Sequence, residues 1–191
     1  MPVVVPSWTR GDVAIASAYM TDGRVIPLHI TALGGSIGTP NNEPIRSKII
    51  IVKKLTDLEL LDPEMTHGKI VLFNRAMDPV LINTGSAYGG ANDQRGQGAI
   101  YASRAGAKGA LVRSLTHSLD TLPHTGAMYY SEEVPRIPAA AISTVDARML
   151  ATLYKEDPNL EVEFVMNCTS LPDVEQGNII GEWTGSELPH E

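Results

Sequence analysis

The chain has 191 residues, enough for one large domain or a domain with a substantial extension, and an ordinary globular composition. Fifteen Lys and Arg against 22 Asp and Glu give a net charge of −7, so there is no basic field to attract nucleic acid or an anionic membrane. The lone Cys168 excludes an internal disulfide framework and a cysteine-based zinc site, and no apolar run approaches membrane-spanning length.

The first residues, MPVVVPSW, lack the basic start and long apolar core of a signal peptide. Residues 12–20 and 24–30 flank Thr21-Asp22-Gly23, and Asp-Gly favours a tight primed turn, which predicts an antiparallel hairpin. The glycine-rich stretch 31–40 has the look of a phosphate loop. It is followed by Pro40, Asn41, Asn42 and Pro44, which break helices, so a turn with close backbone approach is the better reading.

Ile49-Ile50-Ile51-Val52 is a strand buried on both faces. Thr56 with Glu59 has the spacing of a capping box for a short helix over 57–61, ended by Asp62-Pro63. A strand over 69–73 precedes residues 76–92, which are rich in Gly, Asn and Ser and lack periodicity. Loops of that length are usually functional or mobile.

Asp93 is a candidate N-cap for a helix whose Ala99, Ala102 and Ala105 recur at helical spacing, with Gly106 suited to a left-handed C-cap. The apolar run 109–112 then reads as a second buried strand. Strand, helix, strand implies a parallel pair joined by a right-handed crossover. The small-residue face of the helix is a packing device.

A second long loop covers 115–135 and carries His117, Asp120, His124, Tyr129, Tyr130, Glu132 and Glu133. Beyond it come a short buried segment over 137–142 and a helix through Tyr154 capped by Ser143 with Asp146. A strand alternates over 161–166, and a last strand is expected over 178–183. No hinge divides the chain into two domains. Asn167-Cys168-Thr169 is a formal glycosylation sequon, meaningful only in a eukaryotic secretory setting.

Chemistry is sparse. A zinc site needs three or four converging ligands, and of the five histidines only His117 and His124 are near each other in sequence. Ser114, Asp120 and His124 could be drawn as a triad, but no G-x-S-x-G elbow holds the serine. Arg113 ends a buried strand, where α/β sheets often meet ligands, or else it pairs with a carboxylate such as Glu132 or Glu133. Tyr129 and Tyr130 either pack against a substrate or fold the loop onto the domain.

Taken together, LHITALGGSIGTP, GKIVLFN, RGQGAIYASRAGAKGALVRS, LPHTGAMYY, VPRIPAAAISTVDARML and GNIIGEWTGSELPHE resemble a protease-associated (PA) domain. More narrowly, they are similar to the PA domain of zinc exopeptidases of the aminopeptidase and plasma glutamate carboxypeptidase group. The resemblance covers nearly the whole chain in the family's order. It implies an α/β, swivelling β/β/α fold with mixed sheets, a partly open barrel or sandwich, and flanking helices. Residues 1–44 are then an N-terminal hairpin segment completing the sheet, with 2–7 expected to be disordered alone, and 45–191 the PA-like domain.

The catalytic domain would be absent from this chain, and so would the ligands of the two zinc ions it implies. The implied role is a non-catalytic border of the active site in a secreted or periplasmic parent. Its partners would be the parent peptidase domain and peptide substrate, with no nucleic acid and no membrane insertion. The candidates for the substrate- or partner-facing surface are Arg113, His124, Tyr129 and Tyr130. The alternative is a stand-alone peptide- or protein-interaction module.

Overall fold

The computed structural model describes residues 2–183 and 185–187. In chain order its strands are β1 (Pro2–Thr9), β2 (Ile15–Tyr19), β3 (Val25–Leu28), β4 (Ile30–Ala32), β5 (Ile45–Val52), β6 (Ile70–Phe73), β7 (Gly109–Arg113), β8 (Ala139–Ile142), β9 (Glu161–Val165) and β10 (Thr169–Gly177). The helices are α1 (Pro63–Thr66), α2 (Thr84–Gly89), α3 (Asp93–Arg104) and α4 (Thr144–Glu156).

Eight strands follow the order β3-β2-β9-β5-β6-β7-β8-β4. The two ends of that order are neighbours in sequence, separated by His29 alone. The first half of this run pairs with β2, Leu28 opposite Ala16, and the second with β8, Ile30 opposite Ile142. At the other corner β5 pairs with β9 through Ile45–Lys48 and with β6 through Ile49–Val52. Two shared corner strands bend the sheet over on itself, giving a barrel-like sandwich.

The core between the layers joins Ala16, Val162 and Phe164 of the antiparallel side to Ile70, Leu72, Leu111 and Ile142 of the parallel side. α4 closes this core with Ala147, Leu150 and Leu153. On the outer face of the parallel strands, Val71, Phe73, Ala110 and Val112 meet Ala99 and Ala102 of α3. β6, β7 and β8 are therefore covered on both sides, as their unbroken apolar runs require. The β/β/α layering implied by the resemblance is present.

His29 holds the corner. Its N–H donates to Asp146 Oδ2 at 2.6 Å, its ring Nδ1 lies 2.9 Å from the same oxygen, and its carbonyl accepts from Ser143 N at 3.0 Å. α3 ends as expected, with Gly106 at φ +78° and Ala107 N donating to Ala102 O.

Several local expectations are corrected. The turn after β2 spans Thr21-Asp22-Gly23, closed by Met20 N to Arg24 O, with Gly23 at φ +92°. That is a three-residue connection with glycine in the left-handed position, in place of a two-residue primed turn. Residues Leu55–Leu60 form a 3₁₀ helix whose capping acceptor is Asp57, bonded to the N–H groups of Lys53 and Lys54. Pro63 starts α1, capped by Asp62. The N-cap of α3 is Asn92, and Asp93 in the first turn pairs with Arg75.

The expected final strand over 178–183 is not formed. The last strand is β10, which pairs antiparallel with β1 from Pro2 opposite Gly177 to Thr9 opposite Thr169. Residues 2–7 are thus ordered within a ribbon. Its register shifts between Val5 and Ser7, where Pro6 faces the region of Pro172 and neither proline can donate to the ladder. Part of the GEWTGSELPHE motif, at 184 and 188–191, lies outside the described residues.

Candidate binding surface at the carboxyl edge of the parallel strands

β5, β6, β7 and β8 run parallel, so their carboxyl ends lie along one edge. Both long loops leave from that edge, residues 74–92 after β6 and 114–138 after β7. Ligand sites of α/β sheets commonly form there.

The first loop is fastened where it leaves β6. Buried Gln94 accepts from Arg75 N at 3.1 Å and donates to Arg75 O at 2.7 Å, tying the loop's start to α3. α2, which the lack of periodicity had hidden, is capped by Asn83 through Ser86 N. Met77, Ala87 and Ala91 pack on Leu115 of the second loop. Between the loops lies an open groove of about 460 Å³, bordered by Met77, Thr84 and Tyr88 on one side and Leu115, Thr116 and His117 on the other. Beyond it, Val80, Ile82, Leu119 and Leu122 leave large apolar side chains exposed, Ile82 at 99%. These side chains were not singled out from sequence.

The second half of the loop after β7 is fastened at many points. Met128 N donates to Gly34 O and Gly34 N to Gly126 O, which places the glycine turn of residues 34–38 against the loop. That turn is the close-approach type: a Cβ at Gly38 would meet Met166 O at 2.9 Å. It leads into a 3₁₀ turn over Pro40–Asn42, without the helix a phosphate loop needs. Tyr129 N donates to Gly96 O and Ser103 Oγ to Pro135 O, so the loop also lies along α3.

The four surface candidates are therefore not one cluster. His124 is exposed, with its N–H bonded to Ser114 Oγ at 2.8 Å. Tyr129 is 66% exposed. Tyr130 is a fastener: its hydroxyl donates to Ile137 O at 2.7 Å and accepts from Ile37 N at 3.0 Å, and burial pushes its pKa up. Arg113 does not face solvent. It is 9% exposed, and Nη1 donates to Asn74 Oδ1 and Thr144 O at 3.3 Å each. It does not pair with Glu132 or Glu133; Glu133 binds Arg104.

The triad reading is removed. Ser114 Oγ donates to Ile142 O and receives the backbone of His124, and Asp120 Oδ1 accepts from Leu122 N. Among the described residues no group of three or more His, Cys, Asp and Glu is placed to hold a metal ion. No described helix is long and apolar enough to cross a membrane. What the edge offers chemically is hydrogen-bonding backbone, exposed apolar side chains and a buried cation.

No protein-family model matches the chain. It is 36% identical over 190 residues to carboxypeptidase Q of Xenopus laevis and 34% identical to that of Homo sapiens, aligned along all of its own length. End to end, this chain is similar to one segment of carboxypeptidase Q. The resemblance read from the motifs is thereby shown. The chain spans about 38% of the length of these relatives. It also superposes on a peptidase M28 precursor from Shewanella amazonensis SB2B, with a TM-score of 0.83 at 33% identity over 92% of this chain and 38% of that one. An aminopeptidase from Aneurinibacillus sp. strain AM-1 shares the fold, with a TM-score of 0.60 at 12% identity over 91% and 35% of the two chains. The fold is the α/β fold of PA-domain proteins.

Proposed function

We propose that the chain is the non-catalytic PA domain of a secreted or periplasmic zinc exopeptidase, where it borders the active site and governs which peptides enter. The observation that carries this reading is the full-length similarity to one segment, about 38%, of carboxypeptidase Q. The remainder of such a peptidase would hold the two zinc ions and the catalytic groups. No residue of this chain is assigned to them. The partners are then the parent peptidase domain and the peptide substrate.

The carboxyl-edge loops suit the role. Their ends are tied to α3 and to the glycine turn, while Ile82, Leu119 and Leu122 stay free to meet another surface. A rigid scaffold with apolar excursions is what a cleft rim requires. The same exposed side chains favour the second reading, a stand-alone interaction module, which predicts partner binding by this chain without any linked peptidase.

The test is His124→Ala combined with Leu122→Ser in a full-length peptidase carrying this domain. The ratio of kcat/KM for long over short peptides is expected to change about three- to tenfold, the scale of one lost side-chain contact, with zinc content unchanged. Unaltered selectivity and rate would overturn the gating role.

A further inference from the structure

The amino ends of β5, β6 and β7 form the edge opposite the two long loops. Ile49, Ile70 and Gly109 stand in one register across these strands. The residue before each is a lysine, so Lys48, Lys69 and Lys108 make a single row, with backbones about 4.8 Å apart from strand to strand. Ile49 and Ile70 point into the core between the layers, and strand alternation turns the lysine row to the outer face. Lys48 is exposed, and Lys69 and Lys108 are half-buried. Exposed Arg46 adds a fourth cation, two residues earlier in β5. These positions are too far apart in sequence to show as a basic run.

No acid neutralises the lysine row among the described residues: none of the three forms an ion pair. Lys48 Nζ donates to the neutral Asn159 Oδ1 at 2.8 Å and Lys108 Nζ to Arg46 O at 2.7 Å. An ammonium carries three donors, so both keep donors to spare. The neighbouring carboxylates are taken, Glu161 by Arg46 Nε at 2.7 Å and Glu163 by the Tyr19 hydroxyl at 3.0 Å. Nor are the lysines used to finish α3, which ends at this edge. There Thr66 Oγ1 donates to Ala105 O at 2.6 Å and Gly68 N to Gly106 O at 2.8 Å. Like charges side by side on a sheet repel, and in a chain of net charge −7 this row is a local positive field.

The surroundings narrow the ligand. An open groove of about 300 Å³ adjoins the row, bordered by Tyr19, Thr21, Arg46, Lys48, Asn159 and Glu161. The Arg46 guanidinium lies 3.7 Å from the centre of the Tyr19 ring, and its Nε bond to Glu161 holds it there. Its Nη groups bond no described residue, and a planar guanidinium matches a carboxylate. Asn159 is a neutral hydrogen-bonding group suited to a main-chain amide, and Glu161 disfavours a densely charged polyanion. Carboxylates separated by neutral main chain fit this lining.

We infer that Arg46, Lys48, Lys69 and Lys108 form a docking surface for an acidic peptide segment of a protein partner. Arg46 takes one carboxylate at the groove, and the lysine row takes others along the amino edge. The surface lies at the opposite end of the strands from both long loops, so it goes beyond the cleft-rim role and does not depend on it. Rim function can fail while acidic peptides still bind here, and the reverse also holds.

The experiment measures binding of labelled peptides to the 191-residue chain by fluorescence anisotropy. The probes are a Glu-rich peptide with Gly and Ser spacers, and the same peptide with Gln or with Lys in place of Glu. Saturable binding of the Glu peptide alone is expected, weakening as salt rises from about 50 to about 200 mM. Lys48→Gln, Lys69→Gln and Lys108→Gln should each weaken it about two- to fivefold, the range of an exposed ion pair, and the triple variant about tenfold or more. Lys53→Gln with Lys54→Gln, at the other end of β5, should leave binding unchanged, and circular dichroism checks that each variant is folded. Equal weakening by the Lys53 and Lys54 changes, or equal binding of the Gln peptide, would overturn the surface. So would binding of a sulfated oligosaccharide by a chain that ignores the Glu peptide.

Discussion

Asp157 ends α4, and its Oδ2 accepts from the N–H and hydroxyl of Thr21 at 2.7 and 2.9 Å, while Oδ1 takes Asn159 N. One carboxylate thereby ties the β2–β3 turn to the end of the helix. The bond from Thr21 N–H favours the charged form and, against the opposing effect of burial, holds the Asp157 pKa below the usual carboxylate value. A depressed folded-state pKa contributes stability above the unfolded value, near 3.9, and that contribution is lost as pH falls through the folded value. Thermal unfolding should show Asp157→Asn less stable than the parent at neutral pH, with the gap narrowing on acidification below about pH 4. A gap that stays constant with pH would contradict the charged role. Gly98 makes a second case, because a Cβ there would come within 2.9 Å of the Phe73 ring. Gly98→Ala should destabilise by about 1–3 kcal/mol in chemical denaturation, since overpacking between α3 and β6 outweighs the gain in helix propensity. An equal or higher midpoint would show that the interface yields freely.

At the scale of elements, β5, β6, β7, α3 and α4 were legible in the sequence because each carries its own signal. Apolar runs such as Ile70-Val71-Leu72-Phe73 need cover on both faces, and Ser143 with Asp146 marks the start of α4 within four residues. The β1–β10 ribbon carried none: β10 is exposed throughout, so no periodicity separates it from a loop, and Pro6 and Pro172 argue against strands. α2 was hidden for a related reason, since Thr84, Gly85, Ser86 and Gly89 are poor helix formers held by a cap and by Ala87 against Leu115. The corner at His29 belongs to neither strand, and a continuous extended run does not announce that it will change partners. Candidate residues fared as their local context allowed. His124 and Tyr129 are exposed as polar loop residues tend to be. Tyr130 and Arg113 were drawn inward by partners distant in sequence, Ile37 and Ile137 for the one and Asn74 and Thr144 for the other.

For the molecule as a whole, the sheet closes through β3–β4 and β5 and carries both long loops at its carboxyl edge, while β1 and β10 form a separate two-stranded ribbon. Trp8 anchors the ribbon to the glycine turn by donating its indole N–H to Ser36 O at 2.8 Å. The chain is similar along its whole length to one segment, about 38%, of carboxypeptidase Q, and the proposed role as a cleft rim asks no chemistry of it. The most direct measurement is hydrolysis of a dipeptide and tripeptide panel by the purified 191-residue chain with zinc supplied. No turnover above buffer is expected. Hydrolysis that copurifies with the chain and is lost in His117→Ala or His124→Ala would contradict it and make this domain an enzyme in its own right.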